Sequence, residues 1–149
     1  MRLSSMADYA VVTMCAAARH CGSASLVDAD GHKHARISAA DLAAETGVPA
    51  PTVQKVVSLL SRAGLLRSTR GSGGGLKLAR PAAAITLADI VEAVEGPIAL
   101  TSCVEQGRHD CALEACCSVR PHWGVVNEAV RGALADVPLT RLAQSKVTA

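Results

Sequence analysis

The sequence predicts a mainly α-helical chain carrying one small β-hairpin, and three observations predict it. Half of the 149 residues are apolar, yet Phe is absent and Trp and Tyr occur once each. An apolar content of Ala, Val and Leu favours closely packed helices over an aromatic-rich sandwich. Apolar residues also recur at helical spacing in segments that end at Gly. A single glycine-rich run, "GSGGG" at 71–75, separates two short strand-like stretches, which is a hairpin signal.

The elements follow in order. Met6 to Cys21 is apolar on nearly every face and reads as a buried helix stopping near Gly22. Residues 22–35 are a polar, Gly-containing loop. Ser38 then caps a second helix, with Asp41 in the place of the capping-box Glu, Leu42 and Ala43 facing inward and Gly47 as the stop. Pro49 and Pro51 suit the first turn of a third helix, where no internal N–H bond is lost. Its stripe is Val53, Val56, Val57 and Leu60, while Thr52, Gln54, Lys55 and Ser58 fall largely on other faces.

Two helices joined by a short Gly-containing turn form a helix-turn-helix pattern. "LLRSTRGSGGGLKLARP" follows as strand, glycine turn and strand, and a hairpin in that place is the wing of a winged helix. "GSGGG" has no following Lys-Ser/Thr and opens no helix, so it is not a phosphate-cradling loop. "TLADIVEAVEG" resumes helix, with Ile90, Val91 and Val94 on one side and Gly96 as stop. Pro121 opens a last long helix with Trp123, Val126, Val130, Leu134 and Val137 in one stripe. That stripe calls for a two-fold partner or for the first helix of its own chain, and both can hold. The architecture expected is a winged helix-turn-helix domain over 1–80 and, over 81–149, a cysteine-bearing loop with dimerisation helices.

Charge is unevenly placed. Residues 1–80 hold ten Lys/Arg against five Asp/Glu, and residues 81–149 hold five against eight. Residues 51–80 carry six basic side chains and no acidic one. A solvated basic face would give the same count, but a basic first half on a helix-turn-helix points to a polyanion reader with an attached sensing or pairing module. Near-absence of aromatic stacking surface disfavours single-stranded targets. No apolar run approaches the roughly 20 residues of a membrane span. Asp8 interrupts the early apolar run and "ARHCG" is a poor cleavage site, so a cytoplasmic protein is expected.

"TSCVEQGRHDCALEACCSVRPHW", residues 101–123, gathers four of the six cysteines and two of the five histidines. In a reducing compartment, clustered thiols bind metal or do redox work more often than they form stable disulfides. Cys103-x7-Cys111-x4-Cys116-Cys117 matches neither paired zinc knuckles nor ferredoxin spacing. Successive side chains diverge, so Cys116 and Cys117 do not both serve one metal. Three thiolates on an irregular loop, with a fourth ligand from elsewhere, suit an iron–sulfur cluster first. Zinc and a thiol–disulfide switch stay open behind it. A catalytic thiol with His109 or His122 as base has no pocket or further motif to support it. Cys15 and Cys21 read as buried, inert thiols.

"MRLSSMADYAV", "ISAADLAAETGVPAPTVQKVVSLLSRAGLL", "RSTRGSGGGLKLAR" and "ITLADIVEAVEG" together resemble the Rrf2 family of bacterial winged-helix transcription regulators. The likeness covers essentially the whole chain. "CALEACCSVRPHW" looks most like the branch that regulates the SUF iron–sulfur assembly operon. The resemblance implies a homodimer that binds a 2Fe–2S or 4Fe–4S cluster. It implies that cluster state changes affinity for a double-stranded DNA operator, in a redox or nitric-oxide sensor that is a regulator, often a repressor, and not an enzyme. The family's loop cysteines fall on Cys103, Cys111 and Cys117, leaving Cys116 spare. The fourth-ligand histidine of some members falls on Arg120; Asp8, at the aspartate used by other members across the dimer, is preferred, then His122, then Cys116 or His109. The first gap, seven residues, exceeds the family's usual length and leaves cluster type open. The DNA-reading residues implied are Pro51, Thr52, Gln54 and Lys55 for bases, Arg70 at the hairpin tip for the minor groove or a phosphate, and Arg62 and Lys77 for phosphates. The rival readings are a cluster-free regulator with a thiol–disulfide or zinc switch and, more distantly, a thiol oxidoreductase or cluster carrier.

Overall fold

The computed structural model describes residues 2–21, 36–71, 74–104 and 110–144. The 22–35 loop, the hairpin tip at Ser72 and Gly73, and His109 lie outside the described residues. Helix α1 spans Ser5–Cys21. Ser4 starts it: its hydroxyl accepts from the Ala7 N–H at 3.1 Å, closing one of the orphan donors of a helix start. The inward face is Ala7, Ala10, Met14, Ala16, Ala17 and Ala18. Side chains this small let four other helices approach α1 at close range, and α2, α3, α4 and α6 all pack on it.

Helix α2 (Ala39–Thr46) has the expected capping box, with the Asp41 N–H donating to Ser38 Oγ at 3.0 Å and the Ser38 N–H to Asp41 Oδ2 at 3.3 Å. It ends at Gly47, whose φ of 71° is left-handed, a conformation that costs a side chain bearing a Cβ. Helix α3 (Ala50–Arg62) buries Val53, Val56 and Leu60 completely, with Val57 half-buried beside them. Each full burial contributes roughly 1.5–3 kcal/mol, so the stripe locks α3 against the core while its other faces stay in solvent.

Arg19 and His20, at the end of α1, converge on Glu45 of α2; Arg19 Nη2 donates to Glu45 Oε1 at 2.7 Å and His20 Nε2 meets Oε2. Partial burial pulls the Glu45 carboxyl upward, but hydrogen bonds and charge from Arg19 and His20 outweigh it and hold its pKa below the ordinary 4.5. A depressed carboxylate stabilises the fold above its unfolded pKa and loses that contribution as pH falls through the lower folded value. Glu45→Gln is therefore expected to lower stability at pH 7 by about 0.2–1 kcal/mol, the range of a solvent-accessible pair. The gap between variant and wild-type melting temperatures should close as the pH is taken below about 4.5.

β1 (Leu66–Thr69) and β2 (Gly75–Leu78) pair antiparallel, with Leu66 opposite Leu78, Arg67 opposite Lys77, Ser68 opposite Leu76 and Thr69 opposite Gly75. Leu66 and Leu76 point to the core. Ile37 adds a further rung, its N–H donating to the Leu76 carbonyl at 3.1 Å and its carbonyl accepting the Leu76 N–H at 2.8 Å. At Gly74 a Cβ would collide with the Thr69 carbonyl oxygen, so close backbone approach requires glycine at that position. A helix-turn-helix followed by this hairpin is a winged helix.

After a 3-10 turn at Ala82–Ala84, α4 (Leu87–Glu95) starts on a second capping box, Thr86 with Asp89. Ala88, Ile90 and Val91 are its buried residues, and α4 packs on both α1 and α3. Helix α5 (Arg120–Ala135) is the long helix expected from Pro121, and it packs on α4. None of its residues is buried within the chain: Val126 is 44% exposed, and Val125 73%. The stripe of Trp123, Val126, Val130, Leu134 and Val137 thus reaches no deep core in this chain. A short α6 (Leu139–Ala143), not anticipated from the sequence, returns to α1. There Leu139 is fully buried and its N–H donates to the Ile85 carbonyl at 2.8 Å. Among the described residues no helix is long and apolar enough to cross a membrane.

Candidate nucleic-acid interface and cysteine loop

The burial of Val53, Val56 and Leu60 decides which side of α3 meets solvent. Pro51, Gln54 and Lys55 are exposed in its first two turns and Thr52 is half-buried. Arg62, at the other end of the helix, and Arg70, at the edge of the hairpin tip, are exposed as well, and Lys77 on β2 is half-buried. The six expected DNA-facing polar side chains are therefore accessible on the recognition helix and the wing.

The register exposes a seventh candidate. Arg67 stands directly opposite Lys77 on the outer face of the hairpin. Two like charges directly opposite each other destabilise a strand pair, and among the described residues neither is ion-paired. A polyanion lying along the wing relieves that repulsion. Sequence reading counted Arg67 in the basic stretch but had no ground to single it out, because only the pairing sets it beside Lys77. Arg80, by contrast, is engaged with Asp89 at 3.7 Å.

Among its described residues, the cysteine stretch between α4 and α5 runs through turns rather than regular structure. Cys103 is half-buried, with Thr101 Oγ1 3.1 Å from its Sγ. Cys111 and Cys116 are exposed, and the Cys116 thiol turns back to donate to the Leu113 carbonyl at 3.7 Å. Cys117 is half-buried, and its carbonyl accepts the Arg120 N–H at 3.4 Å as α5 begins. Arg120 also reaches Glu114 at 2.8 Å. Cys103, Val104, Arg120, Pro121, Gly124 and Asn127 line an open cleft of about 580 Å³ between the loop and α5. His122 is exposed, and Asp8 is exposed in the first turn of α1.

Among the described residues, the single chain brings no three of its Cys, His, Asp and Glu side chains into one metal-holding group. The thiols thus share a loop but not a point. Soft thiolates of this number suit iron–sulfur chemistry. Cys15 and Cys21 are half-buried on α1 rather than fully buried. Burial pushes both thiols above their ordinary pKa, against a smaller opposing effect from Arg19 at Cys15 and from a backbone hydrogen bond at Cys21. A raised thiol is a poor nucleophile, in keeping with inert packing.

Residues 3–145 match the Rrf2 family, described as an iron-dependent transcriptional regulator. Protein aau3 of Rhizobium meliloti is 36% identical over 134 residues, covering 90% of this chain and 75% of that protein. The HTH-type transcriptional regulator IscR of Photorhabdus laumondii is 28% identical over 146 residues, 98% of this chain and 81% of that one. Among solved structures, CymR, the global cysteine regulator of B. subtilis, superposes with a TM-score of 0.67 at 26% identity over 96% of each chain. The oxidized form of Staphylococcus aureus CymR gives 0.67 at 26% identity, over 99% of this chain and 100% of that one. IscR and CymR are regulators rather than enzymes, and the chain belongs to the Rrf2 family of winged-helix, DNA-binding transcriptional regulators.

Proposed function

We propose that this regulator works as a homodimer whose affinity for a DNA operator is controlled by an iron–sulfur cluster held in the 103–117 loop. Cys103, Cys111 and Cys117 are the thiolate ligands in this reading, and Cys116 is the spare. Asp8 of the partner protomer completes the set, with His122 as the alternative. A carboxylate oxygen is a weak ligand for cluster iron, which makes it the natural point of release. Residues 1–80 read DNA and residues 81–149 sense and pair. Repression of iron–sulfur assembly or redox-response genes, in the cytoplasm, is the role that fits this division.

One observation carries the reading. The cysteine loop is strung between α4, which packs on α3, and α5, whose stripe is only half-buried and where Val125 and Val126 stay exposed. Closing that loop therefore acts on the recognition helix and on the pairing face at once. A bound cluster supplies a multivalent cross-link between the three thiolates, and such a link removes loop entropy from the open state. The chain's own residues do the rest: α4 transmits the loop's position to α3, and α5 sets the separation of two recognition helices. A tenfold change in the population of the DNA-competent arrangement needs only about 1.4 kcal/mol.

The test is purification without oxygen, followed by the visible spectrum and by iron and sulfide per chain. A broad visible band with matched iron and sulfide supports the sensor; two irons per chain point to 2Fe–2S and four to 4Fe–4S. A colourless, iron-free protein that still shifts DNA would move the reading to a thiol–disulfide switch. That second reading draws on the exposed Cys111 and Cys116 and on the likeness to the oxidized Staphylococcus aureus CymR.

A further inference from the structure

The approach to Cys103 is held by side chains that lie outside the cysteine motif. On α5, Asn127 faces the stretch that leads from α4 into the cysteine loop. Its Oδ1 accepts the Leu100 N–H at 2.9 Å, and its Nδ2 donates to the Ile98 carbonyl at 2.9 Å. One amide thus acts as a strand would, taking both a donor and an acceptor of an irregular backbone that offers them no ladder. One turn further along α5, Arg131 forms a two-pronged pair with Glu92 of α4, Nε to Oε1 at 2.9 Å and Nη2 to Oε2 at 3.2 Å. Glu92 Oε1 also accepts the Ile98 N–H at 3.4 Å. Asn127 in addition lines the cleft beside Cys103.

We propose that Asn127, with Glu92 braced by Arg131, is a positioning latch that fastens the backbone entering Cys103 to α4 and α5 together. It deepens the regulatory reading above and rests on it for its purpose, though its own test is independent of any cluster. Each end of the latch has a mechanical consequence. Through Glu92 it ties Ile98 to the helix that packs on α3, and through Asn127 it ties Ile98 and Leu100 to the helix that carries the half-buried apolar stripe. Three bonds converge within three residues, so the segment 98–100 moves with α4 and α5 rather than with the turns that follow it. The position of the Cys103 thiol is then set before any ligand arrives. Thr101, 3.1 Å from the thiol, sits directly after the latched segment and keeps its hydroxyl on the sulfur only while that segment is held.

The experiment is maleimide labelling of the metal-free full-length protein, with the rate at each cysteine read by mass spectrometry. Asn127→Ala removes two hydrogen bonds, and Cys103 is expected to label about tenfold faster. Arg131→Ala leaves Asn127 in place and only frees Glu92, so a smaller rise of about threefold is expected. Cys15 and Cys21, half-buried on α1, should keep their wild-type rates in both variants, as should the already exposed Cys111 and Cys116. A Cys103 rate that does not change overturns the latch. So does a rise shared equally by Cys15 and Cys21, which would mark general loss of stability. If the labelling pattern holds while the wild type takes up no iron, the cluster reading fails and the latch stands.

Discussion

Replacing Cys103, Cys111 or Cys117 by alanine is expected to abolish the visible chromophore of the anaerobically purified protein, while Cys116→Ala retains most of it. The ground is the divergence of neighbouring side chains. Cys116 and Cys117 are adjacent, Cys116 is exposed with its thiol turned back on Leu113, and Cys117 is half-buried at the start of α5. Only one of them can face a ligand that Cys103 also faces. Removing a true ligand leaves two thiolates, too few to retain iron and sulfide, so the loss should be complete rather than graded. Iron and sulfide analysis alongside the spectrum distinguishes a missing cluster from a bleached one. Loss at Cys116 equal to that at Cys117 would sink the ligand assignment. A wild type that never takes up iron would sink the cluster itself.

The second large effect is on DNA. Arg70→Ala is expected to weaken binding to every duplex alike and to lower the slope of log affinity against log salt by about one unit, the signature of one lost phosphate contact. Gln54→Ala should instead act at one base step. A bidentate side chain on a base edge is worth about 1–3 kcal/mol of discrimination, so specificity there blurs by roughly tenfold while binding to mutated operators changes little. Gel shifts over an operator mutation series at two salt concentrations separate the two outcomes. Arg67→Ala belongs with Arg70: it removes the like-charge pair with Lys77, so it should stabilise the hairpin slightly in free protein while weakening DNA binding. A fall in affinity confined to one operator sequence would contradict the phosphate role of either arginine.

The parts of the fold visible in advance are those made by residues close together in the chain. The Ser38–Asp41 box and the Gly47 stop on α2, and the Val53, Val56 and Leu60 stripe on α3, all act within a few residues. Such signals survive in any tertiary context because caps and stripes are satisfied locally. The hairpin was legible for the same reason, since a glycine run between two short strand-like stretches leaves few alternatives. The accessible side of α3 followed from the stripe, because burying one side of the helix dictates what the other side presents.

Other features could not be read that way. Helix α6 is five residues long and has no periodicity of its own; it exists because Leu139 finds the core beside Ile85, more than fifty positions earlier. The half-buried stripe of α5 is indistinguishable in sequence from a fully buried one, since a stripe records that apolar residues align and not what covers them. Asn127 carries no motif, and its partners lie 27 and 29 residues away.

The sequence by itself determined the helices, their caps, the wing, the family and the gathering of thiols in one loop. Tertiary structure alone decided that Arg67 stands against Lys77, that the α5 stripe stays half-buried, and that the path to Cys103 is latched to α4 and α5. The physical reason is range: local hydrogen bonds and side-chain periodicity are written within one turn or strand pair. Contacts between distant segments depend on how whole elements pack, which no short stretch of residues encodes.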